Sequence, residues 1–85
     1  MAGPITRRIL SSEGLTESQY SHAQEVVRRI YGGDLAYAGR KGYRIFRLHP
    51  TLPKTQTCWL GRESFAALCR DPERWAQEHS PPQWA

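Results

Sequence analysis

The chain of 85 residues has only two cysteines and one methionine, and it has few aliphatic side chains. Small secreted domains that depend on disulfides typically carry at least about four cysteines, so we expect Cys58 and Cys69 to be free, buried thiols in a reducing compartment. The sequence contains no run of about 18 apolar residues and no apolar stretch of about 7 to 15 behind its first arginines. We therefore expect neither a membrane span nor a signal peptide, and we predict a soluble, cytoplasmic protein.

The sequence also lacks the parts of a catalytic site. Its serines stand in no nucleophile-elbow context, and no glycine-rich phosphate loop precedes a helix. The residues that could ligate zinc are too widely spaced to include a close ligand pair; they are His49, Cys58, Cys69 and His79. We therefore predict a non-enzymatic protein with no catalytic residue, no metal, no cofactor and no small-molecule substrate.

Aromatic side chains are present in number: three tryptophans, four tyrosines and two phenylalanines. Each of them can bury a large apolar area, which compensates for the scarcity of aliphatic residues in so short a chain. Residues 1–85 are accordingly expected to form one small domain, because this length leaves no room for a second core.

The first clearly predicted element is a helix over residues 17–31. Thr16 and Gln19 have the spacing of a capping box, in which each side chain accepts a hydrogen bond from the other residue's backbone amide. The apolar residues that follow recur at helical spacing, from Tyr20 to Tyr31. Gly32 and Gly33 end the pattern, and we expect one of them to adopt the left-handed conformation.

Beyond these glycines the pattern changes to an alternation typical of strands, predicted over 35–38, 43–49 and 55–60. A four-residue turn bounded by Gly39 and Gly42 joins the first two strands as a hairpin. Both faces of the second strand carry arginine and apolar side chains, so its inner face stays unassigned.

Residues 62–79 carry a second apolar stripe of helical period, interrupted where Asp71 precedes Pro72. We predict a bent helix or two short helices there. Residues 1–14 and 80–85 are expected to be irregular or peripheral, with an optional edge strand over 5–10 and with Trp84 tucked back onto the core. The predicted fold class is α+β: an N-terminal helix, a three-stranded antiparallel sheet and a C-terminal helical segment.

The charge is concentrated in one part of the chain. The net charge is +4, and the whole excess comes from residues 35–62, which contain no Asp or Glu. Cations interleaved with aromatic rings are typical of surfaces that hold single-stranded nucleic acid. The alternative interpretation is a solvated basic hairpin whose aromatic residues are simply the core of a small sheet. The candidate binding residues are Arg40, Lys41, Tyr43, Arg44, Arg47, Lys54, Trp59 and Arg62.

Two partial resemblances bear on this segment. Lys41-Gly42-Tyr43 resembles the start of the RNP1 motif of RNA-recognition domains, although the following residues depart from it. The order of helix, three strands and helix is similar to a double-stranded RNA-binding domain, whose lysine cluster before the last helix is reduced here to Arg62. The chain is assigned to neither family.

We predict a small binding module that engages nucleic acid or a nucleoprotein through its basic, aromatic hairpin. The alternative is an inhibitor from a phage or mobile element, since a tiny aromatic-rich domain without motifs has the general profile of anti-CRISPR proteins. Such an inhibitor would work in the host cytoplasm by occluding a nucleoprotein complex, and its partner would be a protein bound through a few aromatic and arginine anchors.

Overall fold

The computed structural model describes residues 2–85 and confirms the predicted α+β class. Its strands form one antiparallel sheet in the order β1-β2-β3. The helices are α1 (Pro4–Ser12), α2 (Glu17–Val26), α3 (Arg62–Arg70) and α4 (Pro72–Glu78), and the strands are β1 (Asp34–Tyr37), β2 (Tyr43–Leu48) and β3 (Thr55–Leu60). Within residues 2–85, no helix has the length and apolar character needed to cross a membrane.

Helix α2 begins at the predicted capping box. The Thr16 hydroxyl accepts a hydrogen bond from the Gln19 amide at 3.2 Å, and Gln19 Oε1 accepts one from the Thr16 amide at 2.8 Å. The helix continues as a π-helical turn, Val27–Tyr31, and Gly32 ends it in the left-handed region with φ of +67°. Ile30 belongs to the predicted apolar face of this helix but is not buried, since it is 41% exposed.

The prediction of an edge strand or an irregular segment at the N-terminus is wrong for residues 4–12, which form α1. Proline at the first helical position starts the helix without losing a hydrogen bond. Thr6 and Leu10, four residues apart, both face the interior. The Thr6 hydroxyl accepts a hydrogen bond from the Tyr43 hydroxyl at 2.9 Å, so a contact distant in sequence secures this short helix.

The sheet buries one face against the helices. Its register aligns Leu35 with Ile45 and Cys58 across the three strands, and all three side chains are buried. Phe65 of α3 stacks on Tyr43 of β2 with ring centroids 3.6 Å apart, which joins the helical layer to the sheet. None of the strand residues that point to the other face is buried, so the helices leave that face open.

The C-terminal segment folds back on the edge of the sheet, and Trp84 packs against the core as predicted. The Ala85 amide donates to the Thr57 carbonyl at 2.7 Å, and the Thr57 amide donates to the Ala85 carbonyl at 3.4 Å. The Trp84 ring meets Tyr31 edge-on, with centroids 6.3 Å apart. Residues 83–85 thereby cover part of the free edge of β3.

Candidate nucleic-acid interface

The open sheet face is defined here as the outward-pointing residues of the three strands. Antiparallel pairing places Arg44 opposite both Ala36 and Trp59, and it places Phe46 opposite Thr57. The Trp59 side chain is 43% exposed and that of Leu48 is 80% exposed. The members of this face are Asp34, Ala36, Arg44, Phe46, Leu48, Thr55, Thr57 and Trp59.

Two cations lie over the two aromatic rings of the open sheet face. The Lys41 ammonium, at the hairpin turn, is 4.6 Å from the centroid of the Trp59 ring. The Arg44 guanidinium is 4.5 Å from the centroid of the Phe46 ring. Each pair is a cation–π contact worth about 0.5–1 kcal/mol at an exposed site. These contacts hold positive charge close to the sheet without a carboxylate partner.

The pairing of charges differs between this region and the rest of the protein. In the helical layer, arginines reach carboxylates, as where Arg70 lies 3.0 Å from Glu13 and Arg28 lies 3.1 Å from Asp34. The bases in such ion pairs are Arg28, Arg29, Arg62, Arg70 and Arg74. Among residues 2–85, the bases without an ion pair are Arg7, Arg8, Arg40, Lys41, Arg44, Arg47 and Lys54.

Four predicted cations are therefore available around the open sheet face. Arg40 and Lys41 are exposed in the short 3₁₀ turn at one end of β2, and Arg44 follows on the strand itself. Lys54 is exposed at the other end, directly before β3. The six residues of β2 separate the two ends by about 20 Å. Exposed cations thus stand at both ends of β2.

Two predicted residues of β2 point the other way. Tyr43 is only 1% exposed and its hydroxyl bonds to Thr6, so the interpretation of its ring as a stacking surface is wrong. Arg47 donates to the Tyr31 carbonyl at 3.0 Å and to Gln56 at 2.9 Å, and its guanidinium lies 4.4 Å from the centroid of the Trp84 ring. Arg47 therefore holds the C-terminal segment in place.

Arg62 is also directed away from the open sheet face. Its side chain donates to the Ser12 hydroxyl and forms an ion pair with Glu13 at 3.6 Å. It connects the start of α3 to the end of α1, which makes it a structural residue.

Phe46 is one of the aromatic residues that lie among the cations of segment 35–62, although it is not among the eight candidate binding residues. It alternates with Tyr43 and Ile45 along β2, and those two side chains are buried. Once Tyr43 and Ile45 are known to face inward, the period of two sends Arg44, Phe46 and Leu48 outward. That alternation was visible in the sequence, but nothing local decided which set was buried.

The buried titratable groups lie in the core and not at this face. Burial raises the pKa of the Cys69 thiol to about 12 and also raises the pKa of Cys58. Both thiols are free and buried, as expected from the sequence. Among residues 2–85, no three histidine, cysteine or acidic side chains come together in a group that could hold a metal ion.

Fold and surface together define an α+β domain that carries a basic, aromatic and uncovered sheet face. No protein-family model matches the chain, and no curated protein or solved structure matches it significantly. The functional argument therefore rests on the geometry of the open sheet face.

Proposed function

We propose that the protein binds nucleic acid through the open sheet face and the cations at its two ends. The observation that carries this proposal is the distribution of ion pairs. Most arginines of the helical layer are paired with carboxylates, whereas Arg40, Lys41, Arg44 and Lys54 have no such partner among the described residues. Unpaired cations beside the exposed Trp59 ring and the half-buried Phe46 ring match the chemistry of a phosphate chain that carries bases.

Electrostatics decides how such a surface would work. Each phosphate neutralised by lysine or arginine releases a condensed counterion, and this release supplies most of the affinity of sequence-independent binding. Arginine adds paired hydrogen bonds to phosphate oxygens, while lysine acts as a point charge. The only carboxylate on the open sheet face, Asp34, is already bonded to Arg28 at 3.1 Å. It therefore does little to oppose an approaching phosphate.

Neutralising variants test the proposal. Binding of a labelled oligonucleotide, followed by fluorescence anisotropy over a range of salt, should weaken linearly on a log-log plot. Lys41→Gln and Arg44→Gln should each reduce the slope by about 0.7–0.9, the value of one phosphate contact. Arg74→Gln is the matched control, because it removes the same charge from an arginine that is exposed and paired with Glu78 in α4.

The control separates local contact from net charge. An equal loss with Arg74→Gln would show that overall charge, and not the open sheet face, governs binding. If the protein bound no oligonucleotide in a salt-dependent way at micromolar concentration, the proposal would fail. A protein with an acidic surface would then be the partner to seek.

A further inference from the structure

The two rings of the open sheet face are arranged as neighbouring platforms. Phe46 lies opposite Thr57 in the register, and Trp59 is two residues further along β3. Residues in this diagonal relation are roughly 7–8 Å apart across an antiparallel pair. No helix covers either ring, since neither side chain is buried. Each ring instead has a cation above it, Lys41 over Trp59 and Arg44 over Phe46.

A nucleic-acid base can displace a cation that lies above an aromatic ring at the surface. The contact is worth about 0.5–1 kcal/mol at an exposed site, whereas a base stacked on an aromatic side chain contributes roughly 1–3 kcal/mol. A base can therefore take the place of the cation on the ring. The displaced ammonium or guanidinium stays beside the same nucleotide and can turn to its phosphate.

The shape of the surface disfavours a duplex. The major groove of B-form DNA is about 12 Å wide and admits an α-helix or a two-stranded ribbon. The open sheet face spans three strands, which is too broad for that groove. The bases of a duplex are also stacked on each other, so their faces cannot reach Trp59 or Phe46. An unpaired strand meets neither obstacle.

From these observations we infer that the open sheet face selects single-stranded nucleic acid and stacks one base on Trp59 and another on Phe46. This inference rests on the proposed function and adds the class of ligand and the residues that distinguish it. Lys41 and Arg44 cover the rings in the free protein and contact phosphates in the complex. Stacking is tolerant of sequence, because every base has an aromatic face.

The experiment compares one strand in two forms. The probe is a labelled DNA oligonucleotide of about ten nucleotides, within the usual range of single-strand sites, used alone and annealed to its complement. Anisotropy is measured with the wild type, Trp59→Ala, Phe46→Ala and the control Ile30→Ala, which shortens an exposed apolar side chain of the helical layer, outside the open sheet face. Circular dichroism of each variant checks that the fold is intact.

We expect the wild type to bind the single strand more tightly than the duplex. Trp59→Ala and Phe46→Ala should each weaken single-strand binding roughly 5- to 150-fold while changing duplex binding little. Ile30→Ala should bind like the wild type. Single-stranded DNA should also quench tryptophan fluorescence, and Trp59→Phe should lose most of this quenching while still binding the strand.

The outcomes separate the two proposals. Equal affinity for both forms of the probe, or an equal loss for both in Trp59→Ala, would overturn the stacking inference and leave salt-dependent binding at the open sheet face in place. Absence of salt-dependent binding to either form would overturn both.

Discussion

At the scale of single residues, the two glycines after α2 have different tasks. Gly32 ends the helix in the left-handed region, with φ of +67°. Glycine adopts this conformation readily, whereas a residue with a side chain would be strained there. Gly33 allows a close approach, since a Cβ there would lie 2.5 Å from the Phe46 carbonyl oxygen and 3.1 Å from Arg47 Cβ. The absence of a side chain at Gly33 thus lets the chain enter β1 against the backbone of β2.

Gly33→Ala should therefore destabilise the protein by about 1–3 kcal/mol, the usual cost of overpacking a site that cannot relax. The clash is with backbone, which moves less readily than the end of a side chain. Denaturant unfolding measures the loss, and Gly61→Ala serves as the comparison because a Cβ there meets nothing within 4 Å. If both variants unfolded at the same midpoint, the close approach would not matter.

The sequence predicts the glycine pair as a helix end but does not distinguish the two glycines. The same holds for β2, where Tyr43 and Phe46 are both aromatic residues beside arginines. Their separation into core and surface depends on Phe65 of α3, which stacks on Tyr43 from more than twenty positions further along the chain. Contacts at that range leave no local signal, so the sequence does not show that Tyr43 is buried while Phe46 stays at the surface.

At the scale of elements, helices and strands marked by local sequence signals are predicted well, whereas an element that depends on tertiary contacts is not. The extent of the helix from residue 17 to 31 follows from its capping box and its glycine end, both of which are local. The strands predicted from glycine and proline punctuation, 35–38, 43–49 and 55–60, match β1, β2 and β3 to within one residue at each end. Helix α1 was missed because nine residues are too few for a clear period, and its hydrogen bond to Tyr43 is invisible in sequence.

The capping box gives a direct test of the best-predicted element. Thr16→Ala removes the oxygen that accepts the Gln19 amide and should lower the free energy of unfolding by about 0.5–2 kcal/mol. Thr16→Ser keeps the oxygen and should stay close to the wild type. Urea unfolding followed by circular dichroism measures both variants. A Thr16→Ala midpoint equal to that of Thr16→Ser would show that the cap contributes nothing to stability.

At the scale of the whole molecule, the helical layer and the open sheet face have different roles. The helices bury the inner face, and most arginines of the helical layer pair with carboxylates, while the segment 35–62 provides the cations of the other face. The acid-free segment could be predicted from the sequence. Its orientation could not, because it depends on which face of the sheet all of the helices share.

The core carries ionisable groups whose neutral forms the fold requires, and this predicts a loss of stability at alkaline pH. Burial raises the pKa of Tyr31 and that of Cys69 to about 12, above their ordinary values of 10.0 and 9.0. The unfolded chain loses these protons first. Stability should therefore stay constant up to about pH 9 and fall from there toward pH 12, by about 1.4 kcal/mol per pH unit for each group that titrates only on unfolding.

Urea unfolding at several alkaline pH values measures the slope. Cys69→Ala should be less stable than the wild type at neutral pH but should lose stability less steeply as the pH rises. Parallel curves of unfolding free energy against pH for the variant and the wild type would contradict the contribution of Cys69.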